Sequence, residues 1–131
     1  MKKDYTKLRV RYSETDQMGI VHHGNYPQYF ELARIRWLES IGISYKQMEK
    51  EGIMLPVYEM KIKYLIPAYF DEILEVETFL MEKPTVKIKI GYIIRNHKKE
   101  TLTEGETTLV FMDSGTRKPI RCPAYIKEKL R

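Results

Sequence analysis

Asp16, His22 and His23 are the side chains of this sequence best suited to chemistry, because one short loop between a strand and a long helix holds all of them. Carboxylates and imidazoles are the groups that most often move protons or attack electrophilic carbon near neutral pH. The amides of a helix's first turn have no intrahelical partner and attract negative charge, so a loop feeding such a helix sets its acid beside a favourable field. The plainer use of Asp16 is to cap a turn, a common role for aspartate between strand and helix. A metal is the weaker reading of the paired histidines. Adjacent residues rarely point the same way, and no third ligand stands at useful spacing.

The elements flanking this loop follow from periodicity. Leu8, Val10 and Tyr12 alternate with Arg9 and Arg11, the rhythm of a half-buried strand. A helix is expected from about Asn25 or Tyr26, with Asn25 capping through its side-chain oxygen and Pro27 tolerated in the first turn. Tyr26, Phe30, Ala33, Trp37 and Ile41 recur at helical spacing, which makes one face apolar and leaves Glu31, Arg34 and Glu39 on the other. Gly42 follows as a stop signal. Tyr26 and Trp37 read as core, and Glu31 with Arg34 as a surface pair at helical neighbour spacing. Glu31 is also the candidate for a second acid in the pocket.

Further along, Ser44 to Gln47 has the form of a capping box, so a short second helix is expected to run to Glu51 and stop at Gly52. The rest reads as strands. Tyr58 to Ile66 alternates and ends at Pro67, which stops the run or marks a sheet edge. Leu74 to Leu80 and Val86 to Ile94 form an antiparallel hairpin about Lys83-Pro84-Thr85. Thr101 to Met112 is a further long strand with Gly105 as a possible bulge. Asp113-Ser114-Gly115 turns the chain into a short strand near Lys118 to Arg121, and a fraying basic tail follows from Pro123. This order predicts an α+β fold, a helix laid on one face of an antiparallel sheet.

With 131 residues and 43% apolar content, the chain can bury one core, and no Ser-, Gly- or Pro-rich stretch divides it, so a single domain over 1–131 is expected. The net charge of +5 is spread along the sequence and forms no dense basic arm. That distribution disfavours nucleic acid as a partner and suits either a solvated surface or a polyanionic cofactor-like ligand. No apolar run is long enough to cross a bilayer and no export signal is visible, so membrane insertion is not expected. One cysteine, Cys122, offers neither an internal disulfide nor a zinc cluster, which agrees with a reducing cytoplasm.

From Tyr12 to Arg34 the sequence resembles the hotdog-fold acyl-CoA thioesterases of the 4-hydroxybenzoyl-CoA thioesterase type, most closely the bacterial short-chain acyl-CoA subgroup. The residues that carry the resemblance are Tyr12, Thr15-Asp16, Gly19, Ile20-Val21, His22-His23, Asn25-Tyr26 and Glu31-Leu-Ala33-Arg34. Weaker similarity extends through Pro67-Ala68, Asp71-Glu72 and Asp113 to Thr116. Two positions depart from the family pattern and bear on pocket shape. Met18 stands where a small residue is usual, and Gly24 where alanine or proline is common.

The resemblance implies a long central helix wrapped by a curved antiparallel sheet, two chains pairing to form each active site, and a homotetramer built from such homodimers. It implies hydrolysis of a coenzyme A thioester, with coenzyme A as part of the substrate and no cofactor. Asp16 corresponds to the catalytic aspartate, as nucleophile or as general base. Amides near His23 and Asn25 would receive the negative charge that develops on the carbonyl oxygen, and with Tyr26 they are the positioning residues. Lys87, Arg117 and Lys118 match places where the family binds the coenzyme's phosphates. Two other readings stay open: an acyl-thioester hydratase or dehydratase, and an acyl-CoA-binding protein without turnover.

Overall fold

The computed structural model describes residues 2–131. Its first strand, β1 (Lys3–Arg9), begins earlier than the Leu8 to Tyr12 pattern suggests. Thr6 is the inward residue of this strand, and the expected strand is cut short at Arg9. The cause is local: the Glu14 carboxylate accepts the Arg11 N–H at 2.8 Å, and Tyr12–Glu14 coils into a single 3-10 turn. Val10 is still buried, but Tyr12 is 77% exposed.

A second 3-10 turn, His23–Asn25, leads into α1 (Tyr26–Ser40). Tyr26, Phe30, Ala33 and Trp37 are buried along one face as the periodicity requires, and Pro27 occupies the first turn. Asn25 does not cap the helix. Its backbone is already helical, and its side chain is held elsewhere. Gly42 closes the helix at φ +84°, where the Gly42 N–H reaches the Glu39 carbonyl and the Ile43 N–H the Leu38 carbonyl, so the last turn's carbonyls keep partners as the chain leaves the helix. Arg34, expected on the polar face, is only 4% exposed. Its guanidinium donates to the hydroxyls of Tyr45 at 3.2 Å and Tyr92 at 3.1 Å, which is how a cation survives beneath the helix.

Ser44 caps α2 (Tyr45–Lys50) by accepting the Gln47 N–H. A two-residue strand β2 (Ile53–Met54) precedes the edge strand β3 (Val57–Tyr64). Then come β4 (Ile73–Leu80), β5 (Lys87–Arg95) and β6 (Thr101–Val110), and the sheet order is β1-β4-β5-β6-β3, antiparallel throughout. α1 lies across the face made by Leu74, Val76, Ile88, Ile90, Tyr92 and Ile94, and this contact is the core. Gly105 is not at a bulge, because its pairing with Ile62 and Tyr92 is regular. It is glycine for another reason: a β-carbon there would lie 2.5 Å from Phe30 Cζ.

The chain ends differently from expectation. β7 (Met112–Asp113) pairs with β2, and only a single bridge at Pro119 stands where a strand near Lys118 to Arg121 was expected. The basic tail is helical rather than frayed: α3 (Ala124–Lys129) buries Ile126, and Leu130, which caps it four residues on, is buried as well. Among the described residues no helix is long and apolar enough to cross a membrane.

Candidate active site

Asp16 opens a tight turn. Gly19, at φ +79°, returns its N–H to the Asp16 carbonyl, and Asp16 N–H reaches Ile20 O at 2.8 Å. The Asp16 carboxylate takes part as well, with Oδ1 accepting the Met18 N–H at 2.8 Å. The capping role is therefore realised, yet it uses one oxygen. Asp16 also lines a cavity of about 320 Å³ with Met18, His23, Tyr26, Tyr64 and Ile66 among its walls. Acid, histidine and helix start thus meet as the sequence suggests.

The histidine segment is shaped by its own side chains. His22 Nδ1 accepts the Gly24 N–H at 3.0 Å, which puts the proton of the neutral ring on Nε2. The two imidazoles stack at 4.3 Å. Among the amides at this turn, Asn25 N–H is taken by His22 O and Tyr26 N–H by His23 O, so the donor expected at Asn25 is already engaged. The His23 N–H makes no hydrogen bond among the described residues. Of the expected oxyanion donors it alone is free, and its residue borders the cavity.

Tyr26 is buried in the cavity wall with its phenol edge-on to Tyr64 and Tyr29, and burial raises its pKa above the ordinary value. Tyr64, at the end of β3, donates its hydroxyl to His23 O at 3.1 Å and so ties the sheet edge to the helix start. Sequence reasoning reads Tyr64 only as a strand residue. Its place immediately before the apolar Leu65-Ile66-Pro67 exit from the strand is the one available signal.

Glu14 was also missed. It is 7% exposed and accepts from Arg11 N–H, from the Arg11 guanidinium at 3.1 Å and from Tyr29 O–H at 2.8 Å. Burial alone would raise its pKa, but these donors outweigh it and hold the carboxyl below its ordinary value. Among the described residues no three carboxylate, histidine or cysteine side chains are grouped to hold a metal.

The other expected residues lie apart. Glu31 is exposed on α1 and lines a separate groove with Arg9, Arg11, Glu14 and Tyr29, and among the described residues the buried Arg34 bonds to Tyr45 and Tyr92 in place of Glu31. Lys87 sits over the Tyr58 ring at 4.4 Å, in an apolar cleft with Met112 and Pro119. Arg117, at φ +60°, and Lys118 follow the Asp113 turn, where Lys118 O accepts the Asp113 N–H. All three are at the Val57 end of β3, whereas the cavity is at the Tyr64 end. Seven residues of extended chain, about 23 Å, separate them within one molecule.

The chain belongs to the Thioesterase-like superfamily, whose pattern it matches over residues 10–130, and the helix seated on a curved antiparallel sheet is the hotdog fold. It is 35% identical to the Bacillus subtilis protein YneP over 88% of this chain and 83% of that one. It is 29% identical to the acyl-CoA thioester hydrolase YbgC of Escherichia coli, over 91% and 89% of the two chains. The solved structure of a DHNA-CoA thioesterase from Staphylococcus aureus superposes with a TM-score of 0.89 at 37% identity, covering 92% of this chain and 81% of that one.

Proposed function

We propose that this protein hydrolyses an acyl-CoA thioester to a carboxylic acid and coenzyme A. The observation that carries the reading is the Asp16 carboxylate at the cavity wall, one oxygen fixed by Met18 N–H and the other without a protein partner among the described residues. That oxygen serves either to attack the thioester carbon or to deprotonate water. The free N–H of His23 is the donor for the carbonyl oxygen as it becomes negative, and loss of such a donor typically raises a barrier by about 3 kcal/mol. The names of similar proteins support the substrate class.

In the same reading the complete site takes two chains. β3 is a sheet edge with Val57, Tyr58 and Tyr64 exposed, and unpaired edges of this kind recruit another strand. A second copy paired antiparallel about a two-fold axis sets its Val57 end beside this copy's Tyr64 end. Lys87, Arg117 and Lys118 of that copy then approach the cavity mouth, where the coenzyme's phosphates would lie. A tetramer of two such dimers, in a reducing cytoplasm, completes the proposal. The test is thiol release from a panel of acyl-CoAs, with sedimentation measured on the same sample. Release from at least one thioester by a dimer or larger species is expected. No release from any, with enoyl-CoA hydrated instead, would replace hydrolysis with hydration.

A further inference from the structure

We propose that Glu14 is a positioning residue for the reaction, fixing the separation between Asp16 and the open amide of His23 by tying their loop to the start of α1. The inference rests on the hydrolase reading above and adds a residue that neither the motif nor the cavity wall includes.

Carboxylates are seldom buried unless their lone pairs are used. Glu14 uses its own on three separate pieces of backbone and side chain. Oε1 accepts Arg11 N–H and Tyr29 O–H, both at 2.8 Å, and Oε2 accepts the Arg11 guanidinium. The Arg11 side chain is largely exposed, so its ion pair contributes little by itself. The backbone carbonyl of the same residue accepts His22 N–H at 2.9 Å and the Asn25 side-chain amide at 2.8 Å. Glu14 therefore grips the residues on either side of His23 with its main chain, through His22 and Asn25, and α1 with its side chain, while Asp16 follows two residues later.

These contacts close a circuit. Tyr29 packs edge-on to Tyr26, Tyr26 to Tyr64, and Tyr64 returns to His23 through the carbonyl bond. If the carboxylate is lost, the side-chain tie from the loop to Tyr29 of α1 is lost, and only the bonds of the Glu14 carbonyl to His22 and Asn25 still set Asp16 against the His23 amide. Misplacement of reacting groups by about 1 Å can cost on the order of 100-fold in rate.

Glu14→Gln keeps the size but sets an amide N–H₂ against donors of Arg11, and Tyr29→Phe removes only the hydroxyl. For Glu14→Gln, kcat is expected to fall about 10- to 100-fold with KM within about threefold, measured where circular dichroism shows the variant folded. Tyr29→Phe should fall less, and the double variant no further than Glu14→Gln alone, because both break one linkage. The His23 amide signal in a ¹⁵N–¹H spectrum should move in both single variants. If the folded variants turn over at the wild-type rate with that signal unmoved, Glu14 is only a fold residue and the inference fails. A wild type that releases no thiol, but whose His23 signal moves in the variants, would leave the loop linkage standing and remove the hydrolase reading.

Discussion

Replacing Gly105 with alanine puts a methyl group where the Phe30 ring already lies. The added carbon would sit 2.5 Å from Cζ and 2.6 Å from Cε2 of that ring, and 3.2 Å from the carbonyl oxygen of Lys61. Carbon atoms pack comfortably at about 3.5 Å or more, so the ring must retreat by roughly 1 Å. It has nowhere to go: Phe30 is fully buried and stacks on Tyr92 at 4.3 Å. Overpacking of this kind costs about 1–3 kcal/mol, and the upper half of that range is expected here because the Lys61 backbone is also close. Less the roughly 0.5–1 kcal/mol that a strand gains on losing a glycine, the net loss is about 1–2.5 kcal/mol, and at about 0.28 kcal/mol/K of unfolding entropy for a chain this long it lowers Tm by roughly 4–9 °C. Gly91→Ala is the control. Its added carbon meets Phe79 at the same 2.5 Å, but Phe79 is half-buried on the outer face and can swing aside. The strand also gains about 0.5–1 kcal/mol from losing a glycine, so the control should be near neutral. Thermal and urea unfolding of both variants decide the matter. Equal losses at the two sites would refute the packing argument, and failure of Phe30→Leu to restore part of the Gly105→Ala loss would refute the identity of the obstacle.

Two further outcomes follow from the hydrogen bonds. Tyr64→Phe removes the donor to His23 O while keeping both aromatic contacts; a stability loss below about 1 kcal/mol, with a larger fall in kcat, is expected from unfolding curves and thiol release. Glu77, buried and bonded to Arg95 at 2.8 Å and Lys3 at 3.1 Å, has its pKa lowered by the Arg95 hydrogen bond against opposing burial, with Lys3 adding to the lowering. Its stabilisation is thus complete above the ordinary carboxylate pKa of 4.5 and is lost as pH falls through the lower folded value. Glu77→Gln should lower Tm at pH 7 and flatten the decline of Tm between about pH 5 and pH 3; an unchanged acid slope would contradict the assignment.

The helix and the four long strands from β3 to β6 were legible because burial on one face leaves a period that sequence records directly. The apolar positions Tyr26, Phe30, Ala33 and Trp37 are a case in point. Arg34 was misplaced for the converse reason: charge suggests exposure, and the phenols of Tyr45 and Tyr92 that satisfy it come from other elements. Gly105 reads as a bulge until Phe30, seventy-five positions earlier in the chain, is set over it. At the site, the types and order of Asp16, His23 and Tyr26 suffice to bring them to one cavity. Which amide is free depends on who accepts from whom: Asn25 was expected to cap and instead spends its side chain on Glu14 O. Lys87, Arg117 and Lys118 lie at the other end of β3 from the acid in one molecule, so the proposed use of them rests on the proposed second chain, which a single sequence does not display.

The central claim, that the Asp16 carboxylate drives thioester hydrolysis and does more than cap its turn, is tested most directly by Asp16→Asn. Asparagine keeps an oxygen to accept the Met18 N–H, so the turn survives while the charge and the nucleophilic oxygen are lost. With the acyl-CoA that wild type hydrolyses fastest, kcat should fall by about 10²- to 10⁴-fold with Tm and KM little changed. A folded Asp16→Asn protein that releases thiol within a few-fold of the wild-type rate would contradict the account.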